Sequence, residues 1–307
     1  MYDLIGDIHG HASALEDLLD RLGYRLQDGV WRHPDRQVIF LGDFIDRGPE
    51  QVEAVRIART MVEAGAARAI MGNHEFNAVA FATPDPQRPG EHLRPRNTKN
   101  RGQHAEFLAA VGEDSALHQE IVDWFRTLPL YLDLPGLRVV HACWHPQELD
   151  RLAPYLTDAN QLQEAAWLPA TRKGDPLYEA VEVVLKGLEV DLPEGVTFAD
   201  KDGVSRDTLR VRWWDRQPAT YQEKGILPDK VRERLPTVSV PTEGLPGYDD
   251  EKPVFFGHYW WRGVPAPLTP RVACLDYSVA SEGKLVAYRW DGEADLQPEN
   301  FVWVGEA

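Results

Sequence analysis

Cysteine is scarce in this chain: Cys143 and Cys274 are the only two among 307 residues, each inside an apolar stretch and in no Cys-x-x-Cys arrangement. This excludes a disulfide framework and a thiolate zinc site, and leaves two buried, inert thiols as the expectation. Long apolar runs are missing as well. No stretch approaches the ~20 residues that cross a bilayer, and the opening Met1-Tyr2-Asp3-Leu4 lacks the basic and apolar regions of a secretion signal. The expected location is therefore cytoplasmic, with no membrane contact. Positive charge is the third deficit: 33 Lys and Arg stand against 49 Asp and Glu, for a formal charge of -16. Such a surface repels nucleic acid and anionic lipid alike. An acidic protein that handles phosphate must reverse its sign locally, and bound divalent cations do this directly.

What the chain does contain is a repeated unit. Tyr2 to Ile5 reads as a short strand ending at Gly6-Asp7, and Leu15, Leu18, Leu19 and Leu22 then recur at helical spacing until Gly23. Val38 to Leu41, Gly42-Asp43, and a helix carrying Val55, Ala58, Met61 and Val62 repeat the pattern. Ala69 to Met71 followed by Gly72-Asn73-His74-Glu75 begins it a third time. Strands roughly 30 to 36 residues apart match the length of a βαβ unit and predict parallel neighbours in one sheet. In such sheets, ligands gather at the carboxyl ends of the strands, where all three polar motifs lie.

Further along, Leu117, Ile121, Trp124, Phe125 and Leu128 predict a helix. Tyr131 to Leu134 and Leu137 to Val140 predict a hairpin that delivers His141. From about residue 153 to 252 the periodicity weakens, with prolines at 236, 241 and 246, and this stretch reads as an elaboration on the core. Within it, Pro176 to Leu188 looks helical and Arg210 to Trp214 strand-like. Pro253 to Phe256 then predicts a buried strand ending at Gly257-His258, and Val272 to Val279 is expected to pair with Leu285 to Trp290.

Five strand ends thus open with a metal-capable residue: Gly-Asp7-Ile-His9-Gly, Gly-Asp43-Phe-Ile-Asp46-Arg47-Gly, Gly-Asn73-His74-Glu75, His141, and Gly-His258. One such pair alone is an ordinary turn. Five at equivalent places are not a product of turn chemistry. Mixed Asp, His and Asn donors suit Mn, Fe or Zn. No Gly-x-Ser-x-Gly elbow and no phosphate-binding P-loop competes with this reading.

This spaced set resembles the calcineurin-like metallophosphoesterases, and its GDFIDRG form is similar to the branch containing Ser/Thr protein phosphatases and symmetrical diadenosine tetraphosphate hydrolases. The resemblance covers about residues 1–150 and 253–292 of what reads as a single 1–307 domain. It implies an α/β fold, a two-sheet β-sandwich flanked by helices. It also implies two divalent metal ions, Mn foremost, with Asp7 and His9 on the first, Asp43 bridging, and Asn73, His141 and His258 on the second. His74 would be the general acid, Asp46 its carboxylate partner, and Arg47 a grip on phosphoryl oxygens. Asn73 would also contact substrate. The implied reaction is hydrolysis of a phosphomonoester or phosphoanhydride by a metal-bridging hydroxide. Its substrate would be a phosphorylated small molecule, a nucleotide or a phosphoprotein.

A second phosphate-gripping arginine is expected in the middle segment, with Arg212 as the candidate and Arg210 as the alternative, since both would share one face of a strand. Trp214 reads as packing. Ala142-Cys143-Trp144 departs from the small residues usual in the family and puts the leaving-group space in question. His145 reads as lying outside the metal cage or solvated. His11, His33, His92, His104 and His118 read as ordinary histidines, and Lys99-Asn100-Arg101 as a solvated run. The reading from another class is a noncatalytic metal- or phosphate-sensing module, for which the Asp46 and His74 pair would have no task.

Overall fold

Strands covered on both faces read as near-continuous apolar runs, and the runs of this chain build two stacked sheets. The computed structural model describes residues 1–199, 205–227, 229–241 and 245–305. Within the middle segment, residues 200–204, 228 and 242–244 lie outside that set. Ten strands form the two main sheets: β1 (Tyr2–Ile5), β2 (Gln37–Phe40), β3 (Ala67–Ala69), β4 (Tyr131–Asp133), β5 (Arg138–Val140), β6 (Val254–Phe256), β7 (Val272–Cys274), β8 (Asp276–Tyr277), β9 (Lys284–Trp290) and β10 (Phe301–Val304). The first sheet has the order β8-β9-β1-β2-β3 with β10 also on β9, and the second β7-β6-β5-β4. As predicted from their spacing, β1, β2 and β3 are parallel, with Leu4 beside Ile39 and Phe40 beside Ala69.

Side chains alternate across each strand, and here the alternation separates two cores. Leu4, Ile39 and Ile70 meet Leu137, Val139, Phe255 and Ala273 between the sheets. Ile5, Val38 and Phe40, with Val140, Val254 and Phe256, face outward onto the helices. The crossovers are α1 (Ala12–Arg21), which buries Leu15, Leu18 and Leu19, and α2 (Gln51–Glu63), which buries Val55, Ala58 and Met61. Then come α3 (Asn73–Ala82), α4 (Thr98–Gln103), α5 (Ala105–Val111) and α6 (Ala116–Arg126). No helix among the described residues is long and apolar enough to cross a membrane.

Two expectations are corrected. Val272 to Val279 is not one strand paired with Leu285 to Trp290: β7 runs parallel to β6 in the second sheet, and β8 pairs with β9 in the first. The chain passes between the sheets at Leu275, which is buried in the layer they share. Nor does Arg210 to Trp214 form a strand. Thr208–Arg210 pairs with Glu189–Asp191 and stops, because the chain then turns inward and buries Trp213 and Trp214. The helix read in this segment is present over Pro176–Lys186.

Trp213 anchors the middle segment to the sandwich. Its indole is fully buried, donates from Nε1 to the Ala142 carbonyl at 2.9 Å, and packs on Phe256 with ring centroids 5.2 Å apart. Emptying this site removes both the packing and a satisfied donor, so Trp213→Ala is expected to destabilise the protein by about 3–5 kcal/mol. Urea unfolding followed by far-UV circular dichroism measures it. A loss below ~1 kcal/mol would contradict the anchoring role.

Candidate active site

Asp7, Asp43 and Asn73 stand just beyond the ends of β1, β2 and β3, so parallel pairing alone makes them neighbours. His141 and His258 stand just beyond β5 and β6, which are also parallel neighbours. The two sets converge. Asp43 Oδ2 lies 3.4 Å from His141 Nε2, 3.7 Å from His9 Nε2 and 3.9 Å from His74 Nε2. Asn73 Oδ1 lies 2.8 Å from His258 Nδ1 and 3.2 Å from His141 Nε2. Asp7 enters through Oδ2, which accepts the backbone N–H of His258 at 3.0 Å.

The ring orientations are set from behind. His9 donates from Nδ1 to the Ile45 carbonyl at 2.9 Å, and His141 from Nδ1 to the Leu41 carbonyl at 2.8 Å. Each therefore turns an Nε2 lone pair inward, as a metal-binding imidazole held by a backbone carbonyl does. Buried atoms left without a hydrogen-bond partner include Asp7 Oδ1 and His9 Nε2. A cluster of converging acceptors without donors is costly unless a cation fills it. Two compact groups have the spacing to hold one: Asp43 with His141 and His258, and Asp43 with His9 and His74. The donor set therefore fits divalent cations.

The electrostatics point the same way. Burial, joined by the Asp276 and Asp43 carboxylates, pushes the Asp7 carboxyl well above its ordinary range. Burial and the neighbouring His74 pull His9 down to about 4. Burial alone would lower His141 too, but the Asp43 carboxylate lifts it to about 10. Asp43 is held well below the carboxylate range, since His141 and His74 outweigh the effect of burial.

Backbone strain collects at the same place. Six of the twelve non-glycine residues with positive φ among those described are His9, Asp43, Asp46, Arg47, His258 and Trp260. Strain of this kind is stored where a site requires it. Close approach also demands glycine: a Cβ on Gly257 would fall 1.9 Å from Asp7 Oδ1, and one on Gly72 2.2 Å from Asp43 Oδ1.

The profile of the calcineurin-like phosphoesterase family matches residues 2–192. The chain belongs to this family. It is 32% identical to the symmetrical bis(5'-nucleosyl)-tetraphosphatase of Janthinobacterium sp. (strain Marseille) over 311 residues, covering 95% of this chain and 94% of that protein. It is 30% identical to the asymmetrical bis(5'-nucleosyl)-tetraphosphatase PrpE of Oceanobacillus iheyensis over 141 residues, which cover 46% of this chain and 54% of that one. The chain thus spans about half the length, or less, of the asymmetrical relatives it matches. A protein serine/threonine phosphatase of Saccharomyces cerevisiae shares the calcineurin-like fold at 14% identity, with a TM-score of 0.51 over 100% of this chain and 79% of that one.

Around the donor cluster runs a cleft of about 570 Å³, lined among others by Asp46, Arg47, His74, Arg94, Lys186, Arg206 and Arg210. Asp46 accepts from His74 Nδ1 at 2.6 Å through one oxygen and from His104 Nδ1 at 2.7 Å through the other. His104, read as an ordinary histidine, is therefore part of the site. It approaches from the junction of α4 and α5, and nothing in its sequence neighbourhood marks it. Glu75 is fully buried and accepts the N–H groups of Asp43, Phe44 and Gly72, which fixes the Asp43 loop on the start of α3. Gln51 does the same for the next turn, accepting from the Asp46 N–H and donating to the Gly48 carbonyl.

Arg212 is not in the cleft. With the strand ending at Arg210, the chain turns and places Arg212 beside Gln222, Glu223, Arg232 and Glu233, while Arg210 lines the cleft. Ala142, Cys143 and Trp144 do not line the cleft; Trp144 is buried under Arg138, whose guanidinium lies 4.9 Å from its ring. His145 is buried and precedes the helix Pro146–Leu152. Of the Lys99 to Arg101 run, Asn100 reaches the cleft and Arg101 pairs with Glu113.

Gly257→Ala tests the donor cluster with little disturbance of the chain path, since Gly257 has no positive φ. The added methyl must displace the Asp7 carboxylate. Manganese affinity, measured calorimetrically, is expected to fall at least about tenfold, equivalent to ~1.4 kcal/mol, with circular dichroism unchanged. Undiminished binding would remove Asp7 from the cluster.

Proposed function

We propose that the chain is a metal-dependent hydrolase of phosphoanhydrides, with dinucleoside polyphosphates as the favoured substrate class. The observation that carries this reading is the Asp46-tethered His74 beside the donor cluster, in a cleft lined by cations on an otherwise acidic protein. Similarity over nearly the whole chain to a symmetrical bis(5'-nucleosyl)-tetraphosphatase supports the substrate class.

In this reading Asp7, His9 and Asp43 hold one divalent cation, and Asp43, Asn73, His141 and His258 hold a second. Bound there, the cations supply an activated water and neutralise charge on the phosphoryl oxygens. Arg47 and Arg210, which both line the cleft, orient the phosphoryl group; Arg47 is kept in place by the face of Trp260, 5.0 Å from its guanidinium carbon. His74 delivers a proton from Nε2 to the leaving oxygen while Asp46 holds Nδ1–H. Burial disfavours the charged imidazole, yet the Asp43 and Asp46 carboxylates raise the His74 pKa above its ordinary value, which keeps the proton available.

His104 steadies this arrangement. Its N–H occupies the second oxygen of Asp46 and fixes the carboxylate's rotation, so it acts as a positioning residue for the acid. A noncatalytic phosphate sensor would gain nothing from three groups aligned to hold one proton.

His74→Asn is expected to lower kcat for diadenosine tetraphosphate by about 10² to 10⁴ and to leave manganese content intact. Turnover unchanged in this variant would favour the sensor. For His104→Ala the informative readout is leaving-group dependence. Phenyl phosphate should lose about tenfold more rate than p-nitrophenyl phosphate, because only the poorer leaving group needs the proton. Equal losses on both substrates would reduce His104 to a structural role.

A further inference from the structure

Among the described residues, several buried or partly buried arginines of this acidic chain have found carboxylates. Arg36 pairs with Asp3 and Asp291, Arg96 with Glu113 and Asp114, Arg138 with Asp249 and Glu251, and Arg172 with Asp85. Arg94 does not follow this pattern. Its Nη1 donates to the Asn77 side-chain carbonyl at 2.6 Å and its Nη2 to that of Gln103 at 2.8 Å. Its backbone N–H is tied to the Ala80 carbonyl at 2.9 Å. No carboxylate among the described residues lies within ion-pair distance. Two neutral amides thus fix the direction of the guanidinium fork without cancelling its charge, and burial pulls its pKa below the ordinary arginine value against the opposing pull of the more distant Asp46 and Glu182 carboxylates. A half-buried, rigidly held cation without a carboxylate in ion-pair contact is costly by itself and favourable once an anion arrives.

Its position says which anion. Arg94 lines the central cleft and also a side pocket of about 190 Å³ with Asn77, Asn100, Tyr178, Glu182 and Lys186, the last two paired with each other. Gln103, which holds Arg94, directly precedes His104; His104 holds Asp46, and Asp46 holds His74. Arg94 is therefore connected to His74 through this chain of contacts, whereas Arg210 lines the same cleft and bears on His258. A leaving oxygen that takes its proton from His74 departs toward Arg94.

We propose that Arg94, assisted by Lys186, is a subsite for a second phosphoryl group, the first one of the leaving group in a phosphoanhydride. This rests on the hydrolase reading above and deepens it: the subsite selects nucleoside oligophosphates over simple monoesters. A phosphomonoester needs cations only around its single phosphoryl group, which Arg47 and Arg210 already provide. Arg94 has a task only when negative charge continues past the scissile bond.

The test compares manganese-loaded wild-type protein with Arg94→Gln and Arg94→Lys, using methylenediphosphonate and methylphosphonate as probes in calorimetry. Charge-assisted contacts of this kind are worth about ten- to a hundredfold in affinity. Arg94→Gln should therefore lose at least about tenfold more affinity for the diphosphonate than for the monophosphonate, and Arg94→Lys should restore part of it. The same ratio should appear in kcat/KM for diadenosine tetraphosphate against p-nitrophenyl phosphate. Equal losses on both probes, or none on either, would overturn the subsite. Calorimetry separates this from failure of the hydrolase reading: a diphosphonate preference that depends on Arg94 in a protein without turnover upholds the subsite and sinks the hydrolase.

Discussion

The geometry of the centre depends on the repulsion among acceptors brought into one dry place. Asp7, Asp43 and Asp276 are all buried, and each raises the cost of ionising another. Burial and neighbouring charge lift Asp276 to about 6, and push Asp7 up as well, while histidines hold Asp43 down. No arrangement of protons satisfies all of them at neutral pH as divalent cations would. The rest of the fold can be understood as scaffolding that holds this unfavourable cluster in place.

That scaffolding is mostly backbone. Three parallel strands deliver Asp7, Asp43 and Asn73, and two more deliver His141 and His258. Backbone carbonyls at Ile45 and Leu41 turn two imidazoles inward. Glu75 and Gln51, both buried, tie the strained loops through N–H and carbonyl groups. The positive φ values at His9, Asp43 and His258 are local costs that the two packed cores offset.

The parts of this arrangement legible in the sequence were those with a local signature. Apolar runs followed by Gly-Asp, Gly-Asn or Gly-His marked both the strands and the residues at their ends, because strand, turn and side chain are contiguous. The parallel order followed from spacing. What stayed hidden was contributed across the fold. His104 and Arg94 lie in a polar stretch with no periodicity, and their roles arise only because α3, α4 and α5 wrap that stretch back onto the Asp46 loop. Arg212, the candidate, and Arg210, the alternative, share one face only on a continuous strand. The burial of Trp213, a tertiary demand, ends that strand at Arg210 and reverses the choice. The split of Val272 to Val279 between two sheets is of the same kind, since local pattern cannot say which sheet an apolar run joins.

Charge follows a similar division between local and global. The chain as a whole repels phosphate, yet the cleft gathers Arg47, Arg94, Lys186, Arg206 and Arg210 around the donor cluster. An acidic exterior does not oppose this, because screening confines surface charge to about 8–10 Å at physiological salt, whereas charges inside a walled cleft are screened far less. The exterior discourages extended polyanions from lying along the surface, and the cleft attracts a short anion able to enter it. The two together favour a compact substrate with several negative charges over a polynucleotide. That selection comes from where cations are gathered, not from the net charge of the protein.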